Sequence, residues 1–345
     1  MTDMTTAPRS TTAKKALPLI GGVAFAVASV LLLTPGAHAA EAGSGLGDFN
    51  LGSGYYKGSF SQYGQLLICG EKGTQVPSAP LVASGMQDAA WINSHYSSAW
   101  GGTPQLTDDL VAGLNRVYHE NLGTSAQADA ALEYATHAVM YPGEWRDLNG
   151  AQHANLQEMI ATDLALPEVN ASGDIAAVQD YVTKFLDVIT TTTASVPIDG
   201  EGVVTFAAGA DQFTKTVTVE ATDGATGTLA LTNAVFDDTG EATRDVTAGD
   251  VFTVRVTAPA GVESTVEVTG AADMTVGAAG YSSQLATWLP ESGVNQQASL
   301  GLGPVVEQTA FEISGSTKAT ITVPKKDKPK ENKPVALVKT GEGDH

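Results

Sequence analysis

The sequence has a single cysteine, few basic residues and no glycine-rich phosphate-binding loop. Of its 345 residues only 18 are Lys or Arg, against 38 Asp or Glu, which gives a formal net charge of −20. Such a surface repels nucleic-acid phosphates and anionic lipid headgroups. The Gly-Leu-Gly-Pro run at 301–304 precedes no helical pattern, so it does not predict phosphate binding. We therefore expect no nucleic-acid partner, no membrane-surface partner and no cofactor.

Long apolar runs are also scarce, and the longest lies at the N-terminus. Three basic residues precede an apolar run over 16–33, and Ala-His-Ala at 37–39 follows it. This order of features is typical of a signal peptide that is removed on export. The run is short for a membrane span and contains two glycines. We predict a signal peptide at 1–39, a secreted chain and no membrane association after cleavage; a retained N-terminal anchor is the alternative.

The lone cysteine, Cys69, follows the apolar run Leu66–Ile68 and precedes a turn bounded by glycines. One cysteine cannot form an intramolecular disulfide in an exported protein. Its thiol is therefore inert and buried, free and reactive, bonded to another chain, or acylated. The end of a strand suits a reacting group, whereas a cysteine that fills a core gap is the alternative. Cys69 is accordingly the first candidate site residue.

The region from Met86 to about Thr192 has the apolar spacing of helices. The pattern and its capping residues, among them Thr107 and Ser125, predict five helices, at 86–96, 107–121, 125–141, 150–165 and 175–189. We expect a mostly helical N-terminal domain at 40–195, with a few strands near Cys69.

After Ser195 the apolar pattern changes to a period of two, which is typical of strands. Strands are predicted at 203–206, 213–219, 228–231, 251–257, 264–268, 281–288 and 320–323, separated by turn clusters rich in Asp, Gly and Thr. This spacing indicates an Ig-like antiparallel β-sandwich at 196–323. The predicted fold class is therefore α+β.

The C-terminal segment 324–345 is rich in Lys and Pro, a composition that predicts an extended spacer. It contains Leu-Val-Lys-Thr-Gly at 337–341, which resembles the wall-sorting signal of Gram-positive surface proteins with Val338 in place of Pro. That signal requires a following apolar run and basic residues, and four other residues follow here. We expect a released protein or, if the sequence is truncated, a chain that a sortase attaches to peptidoglycan in the cell wall.

The order of these segments resembles the thioester-domain surface proteins of Gram-positive bacteria, including actinobacteria. In that family a Cys near the start of the domain forms an internal thioester with the Gln of a T-Q-x-A-I/V-W helix. The matching positions are Ile68-Cys69 and T-H-A-V-M-Y at 136–141, within a resemblance that covers roughly residues 50–195. His137 therefore stands where the family has Gln. The resemblance implies adhesion to a host or another extracellular surface, and no enzymatic activity.

The substitution at His137 matters because imidazole has no carbonyl group and cannot be an acyl donor. Gln152, in the run A-Q-H-A, and Gln157 are alternative donors if the fold brings either one to Cys69. We expect instead a thioester-domain scaffold that lacks the standard Cys-Gln bond and binds an extracellular ligand noncovalently.

An enzyme is the alternative function. If the fold places His137 beside Cys69, a thiolate–imidazolium pair would permit a secreted hydrolase or transferase. A semi-buried structural histidine is the simpler interpretation of His137.

Three other groups of residues are candidates for a metal site or a cross-link. Glu133 and His137 are four residues apart, but no zinc-type spacing accompanies them, so no metal site is predicted. Asp237, Asp238 and Glu241 form a candidate calcium site, with an ordinary solvated acidic turn as the alternative. Lys215 is a candidate for a cross-link to Asn233 or Asn295, with an ordinary surface lysine as the alternative.

Overall fold

The computed structural model describes residues 40–47, 49, 55–73, 80–258, 263–290 and 297–322. The signal peptide predicted at 1–39 and the spacer predicted at 324–345 lie outside these ranges. Within them, no helix is both long enough and apolar enough to cross a membrane.

The described chain folds into a mixed lobe, built of helices and a sheet, and a β lobe. The elements up to residue 191 are β1 (Glu41–Leu46), β2 (Lys57–Gln62), β3 (Gln65–Cys69), β4 (Leu81–Asp88), α1 (Ala89–His95), α2 (Asp108–Asn121), α3 (Ala126–Met140), α4 (Leu156–Ala165), a short 3₁₀ turn (Ser172–Asp174) and α5 (Ile175–Thr191). The elements after it are β5 (Gly202–Ala208), β6 (Thr214–Ala221), β7 (Thr226–Thr232), β8 (Ala234–Phe236), β9 (Thr243–Thr247), β10 (Val251–Val256), β11 (Glu263–Val276), β12 (Gly280–Tyr281), β13 (Gln284–Pro290), β14 (Ser299–Gly301), β15 (Val305–Val306) and β16 (Thr309–Thr322).

The mixed lobe contains a six-stranded antiparallel sheet in the order β1-β2-β3-β14-β13-β4. Strands β13 and β14 come from the far end of the chain and insert between β3 and β4. The prediction that placed 281–288 in the β-sandwich is therefore wrong. Period-two spacing identifies a strand, but it carries no information about which sheet the strand joins.

The helices pack on one face of this sheet around a shared apolar core that includes Ile68 and Leu300. Thr107 and Ser125 cap α2 and α3 as predicted, because their side chains accept main-chain N–H bonds from the first turn. The lobe is mixed rather than mostly helical, so that part of the prediction is wrong. Met86, predicted in a helix, lies in the edge strand β4. Most side chains of β4 are exposed or half-buried, Met86 among them, so the strand lacks the alternation by which a sequence reveals it.

The β lobe consists of two four-stranded antiparallel sheets, β5-β6-β10-β8 and β16-β11-β7-β9. Their facing sides share a core of small and β-branched side chains, including Val217, Leu229 and Val268. Strands β11 and β16 pair without interruption from Glu263↔Thr322 to Val276↔Thr309. The predicted antiparallel sandwich is confirmed.

Asn115 of α2 holds the segment after β14, residues 302–304, against the mixed lobe. Its amide nitrogen donates to the Pro304 carbonyl at 2.9 Å, and its amide oxygen accepts from Gly303 N–H at 2.8 Å. The side chain is fully buried. Gly303 lies against the backbone of Gln284, where an added Cβ would be 1.8 Å from a carbonyl oxygen. A glycine is therefore required at this close approach.

Candidate functional site

Cys69 is the last residue of β3, between neighbouring strands β2 and β14. Side chains alternate along a strand. Ile68 packs against the helices, whereas Cys69 packs with Leu67, Phe60 and Trp288 on the other face of the sheet. The thiol thus points away from the helical layer, and Cys69 is only 4% exposed.

Helix α3 presents three buried polar side chains, Asp129, Glu133 and His137, to the sheet. They are four residues apart, so they lie on one face of the helix. Asp129 accepts a hydrogen bond from Ser59 Oγ at 2.5 Å, and Glu133 accepts one from Gly58 N–H at 2.8 Å. These two hydrogen bonds hold α3 against β2, and His137, one turn further along the same face of α3, lies next to Cys69.

The ring of His137 is hydrogen-bonded to the main chain of Cys69. Burial lowers the pKa of His137 well below its ordinary value, and the charges of Lys57 and Lys72 lower it further, against the opposing effect of that hydrogen bond. Among the described residues, Nε2 has no hydrogen-bond partner. His137 is therefore a neutral imidazole at physiological pH.

The pKa of the Cys69 thiol is shifted in the opposite direction, upward. Burial raises its pKa well above the ordinary value, and Glu133 raises it further; Lys57 lowers it and Glu71 adds to the rise. The fold thus brings His137 to Cys69, as the enzyme alternative required, but through the Cys69 main chain. A protonated thiol and a neutral ring on different sides of the sheet do not form a thiolate–imidazolium pair.

Lys57 and Glu133 form a buried ion pair with an Nζ–Oε1 distance of 2.7 Å. Burial alone would lower the pKa of Lys57, but Glu133 and Asp163 outweigh it and raise the pKa above the ordinary value. Lys57 thus remains charged inside the lobe, close enough to affect Cys69 electrostatically.

Lys72 is a second buried amine, three residues after Cys69. It donates to the main-chain oxygen of Glu144, and its Nζ lies 3.3 Å from Met159 Sδ. Burial, assisted by the charge of Lys57, lowers the pKa of Lys72 to about 8. No motif in the sequence marked this residue, because only the fold buries it.

The segment that follows Cys69 is held by three hydrogen bonds, one to Tyr141 and two to Ala298. Tyr141 OH donates to the Gly70 carbonyl at 3.1 Å, and Gly70 N–H donates to Ala298 O at 2.9 Å. The Glu71 carboxylate accepts from Ala298 N–H at 3.0 Å. These contacts fix the backbone beside the thiol, so access to Cys69 requires movement of the surrounding elements.

The two glutamines proposed as acyl donors have partners elsewhere. Gln152 is exposed, and its amide donates to the Gly143 carbonyl at 3.2 Å. Gln157 lies on α4 and donates to Thr183 Oγ1 at 3.4 Å. In the described part of the chain, neither side chain has a hydrogen bond to Cys69.

A different glutamine lies in the segment that leads into β14, the strand that pairs with Cys69. Ser299 of β14 lies directly opposite Cys69, and Gln297 precedes Ser299 by two residues, just outside the strand. Gln297 is 6% exposed. Sequence reasoning missed it because the sequence does not show that residues 297–301 return to the first sheet.

The remaining candidates are placed as follows. Within the described ranges, no three His, Cys, Asp or Glu side chains are grouped as metal ligands. Asp237 and Asp238 are paired with Arg255 and Arg244, at 2.7 and 2.6 Å. Lys215 lies in β6 between β5 and β10. Asn233 donates to Glu267 O at 2.9 Å, and Asn295 is outside the described residues.

No protein-family model and no curated protein matches this sequence. Among solved structures, the chain is similar to the thioester domain of the Enterococcus faecium TIE86 protein, with 14% identity, a TM-score of 0.22 and coverage of 83% of this chain and 97% of that one. It is also similar to the Bacillus anthracis TIE protein, with 11% identity and a TM-score of 0.30; this match covers 84% of the chain and 49% of the other. Likeness at this level establishes neither a shared fold nor a function.

Proposed function

We propose that this chain is a secreted or cell-wall-associated surface protein that attaches to an extracellular ligand or surface without a covalent bond. The export-type N-terminus, the Lys/Pro tail and the thioester-domain resemblance at Cys69 and His137 support the surface location. In this proposal the mixed lobe carries the binding surface, and the β lobe and tail act as its stalk.

The noncovalent mode rests on one observation. The residue that meets Cys69 from α3 is His137, which has no acyl group, and it meets the main chain while the thiol lies on the opposite face. Thioester formation requires a thiolate in near contact with a carboxamide. Burial also keeps the Cys69 thiol protonated. These features support a scaffold that does not use acyl-transfer chemistry.

The test is attachment of beads coated with the full chain to immobilised extracellular-matrix proteins and to cultured epithelial cells. Wild-type protein and Cys69→Ala should attach equally, and boiling in SDS should release all of the bound protein. An SDS-resistant adduct that disappears in Cys69→Ala would contradict the noncovalent mode. Failure of the beads to attach to any of these surfaces would contradict the adhesive function.

A further inference from the structure

Residues 141–153, in the connection between α3 and α4, form a small hairpin that we call the 141–153 loop. Asp147 N–H donates to Ala151 O at 3.0 Å, and His153 N–H donates to Trp145 O at 2.8 Å. The main chain alone thus brings the two arms together and places His153 opposite the arm that contains Asp147.

The Asp147 side chain is the centre of this hairpin. One carboxylate oxygen accepts N–H bonds from Asn149 and Ala151, both at 2.9 Å. The other accepts from His153 Nε2 at 2.9 Å. Asp147 therefore holds the turn and the second arm together, and all three hydrogen bonds are strengthened by its negative charge.

His153 faces carboxylates from both elements that pack against it. Asp147 of the loop contacts Nε2, and Glu158 of α4 lies 3.8 Å from Nδ1; Asp163 of α4 acts electrostatically from further away. Only the imidazolium has an N–H on both nitrogens. In the neutral ring that donates to Asp147, a lone pair faces Glu158, so proton loss converts one attraction into a repulsion.

The 141–153 loop also covers the segment that follows Cys69. Its first residue, Tyr141, bonds the Gly70 carbonyl at 3.1 Å. Its Glu144 provides the main-chain oxygen for Lys72 Nζ and accepts from Ser98 Oγ at 2.7 Å. Movement of the loop is therefore transmitted to the segment beside the thiol.

We propose that His153 is a proton-operated latch, which closes the 141–153 loop while the ring is charged and loosens it on deprotonation. The loosened loop releases the backbone of residues 70–72, and through this backbone it loosens the packing of the Cys69 thiol on the other face of the sheet. The latch does not depend on the identity of any extracellular ligand.

The direction of the titration agrees with this geometry. The hydrogen bond to Asp147 raises the pKa of His153 above its ordinary value of 6.5. A raised folded-state pKa gives stabilisation that is fully present below the unfolded pKa and is lost as pH rises through the folded value. The latch is thus closed at mildly acidic pH and opens on the alkaline side.

The experiment is hydrogen exchange of the full-length protein from about pH 5.5 to 8.5, a range that brackets histidine titration, with rates corrected for intrinsic pH dependence. Protection of the peptide that spans 147–153 should fall as pH rises. In His153→Gln the protection should already be low at the acidic end, and its pH dependence should disappear. A wild-type peptide whose corrected protection does not change with pH would overturn the proposal.

Alkylation of Cys69 gives a second readout. At one acidic pH the thiolate fraction is closely matched between variants, so faster alkylation of His153→Gln than of wild type measures access. Glu158→Gln, which leaves Asp147 and its turn intact, should move the loss of protection to lower pH. His95→Gln is the matched control, because this exposed ring on α1 stacks on Trp91 at 3.9 Å and has no carboxylate partner within the described ranges. Equal alkylation rates in wild type and His153→Gln would contradict the link to Cys69.

Discussion

The His137 ring bonds the main chain of Cys69, while the Cys69 thiol packs on the far side of the sheet beside Trp288. Two residues that are neighbours in the fold are therefore separated in their chemistry. The position that the sequence marks as the partner of Cys69 supports the backbone of the cysteine and does not reach its sulfur. This relationship explains why we expect the thiol to remain free.

A glutamine at position 137 should not be sufficient to create a thioester. In His137→Gln a carboxamide is present on α3, but the sheet lies between it and the thiol. We expect the variant to keep its full mass, as measured by intact-protein mass spectrometry under native conditions. Loss of one ammonia in His137→Gln, with wild type unchanged, would show that the thiol reaches the helical face.

Reactivity of the Cys69 thiol should be controlled by nearby carboxylates as well as by burial. Glu71 contributes to the raised pKa of the thiol, so Glu71→Gln should shift the pH midpoint of Cys69 alkylation downward. The control is Glu120→Gln, which removes an exposed carboxylate that is paired with Arg116 on α2. An unchanged midpoint in Glu71→Gln would show that the Glu71 charge does not contribute to the raised pKa of the thiol.

Removing one partner of the buried Lys57–Glu133 ion pair should reduce the free energy of unfolding strongly. Glu133→Leu leaves the Lys57 ammonium without its partner and should reduce the free energy of unfolding by about 3–5 kcal/mol. The double variant Lys57→Met/Glu133→Leu should recover a large part of this loss in urea unfolding. The control Lys184→Ala removes an exposed pair with Asp180 and should change stability little. Equal losses in the single and double variants would contradict this account.

Asn115 should be important for keeping residues 299–306 packed on the mixed lobe. Asn115→Ala leaves Gly303 N–H and Pro304 O without their buried partner, so the free energy of unfolding should fall by about 2–3 kcal/mol. Hydrogen exchange in residues 299–306 should rise with it. Asn121→Ala, which loses only a bond to Val117 O within its own helix, is the control. No effect of Asn115→Ala on either measurement would show that strand pairing alone holds the segment.

Much of the fold follows from local sequence signals. The caps Thr107 and Ser125 and the 3.6-residue spacing predict α2 and α3, and period-two spacing predicts the β-sandwich. The sequence does not predict that β13 and β14 join the first sheet, because strand pairing depends on contacts between residues more than 200 positions apart. The domain boundaries predicted from periodicity therefore assigned β13 to the wrong sheet.

The site was predicted in part. Cys69 and His137 meet, as the motif spacing suggested, but the side of the sheet on which the thiol lies is a property of strand register. Lys57, Lys72 and Gln297 acquire their significance only through burial in the folded chain. Nothing in their local sequence distinguishes them from surface residues, so only the three-dimensional structure identifies them.

The most direct test of the free thiol at Cys69 is the intact mass of the purified native protein, followed by thiol titration. We predict the full mass expected from the sequence, slow alkylation of the native protein and one alkylated thiol after denaturation. A native mass short by one ammonia, with the modification mapped to Cys69 and a glutamine such as Gln297, Gln152 or Gln157, would contradict the account. That result would show that this chain forms a thioester through a residue other than His137.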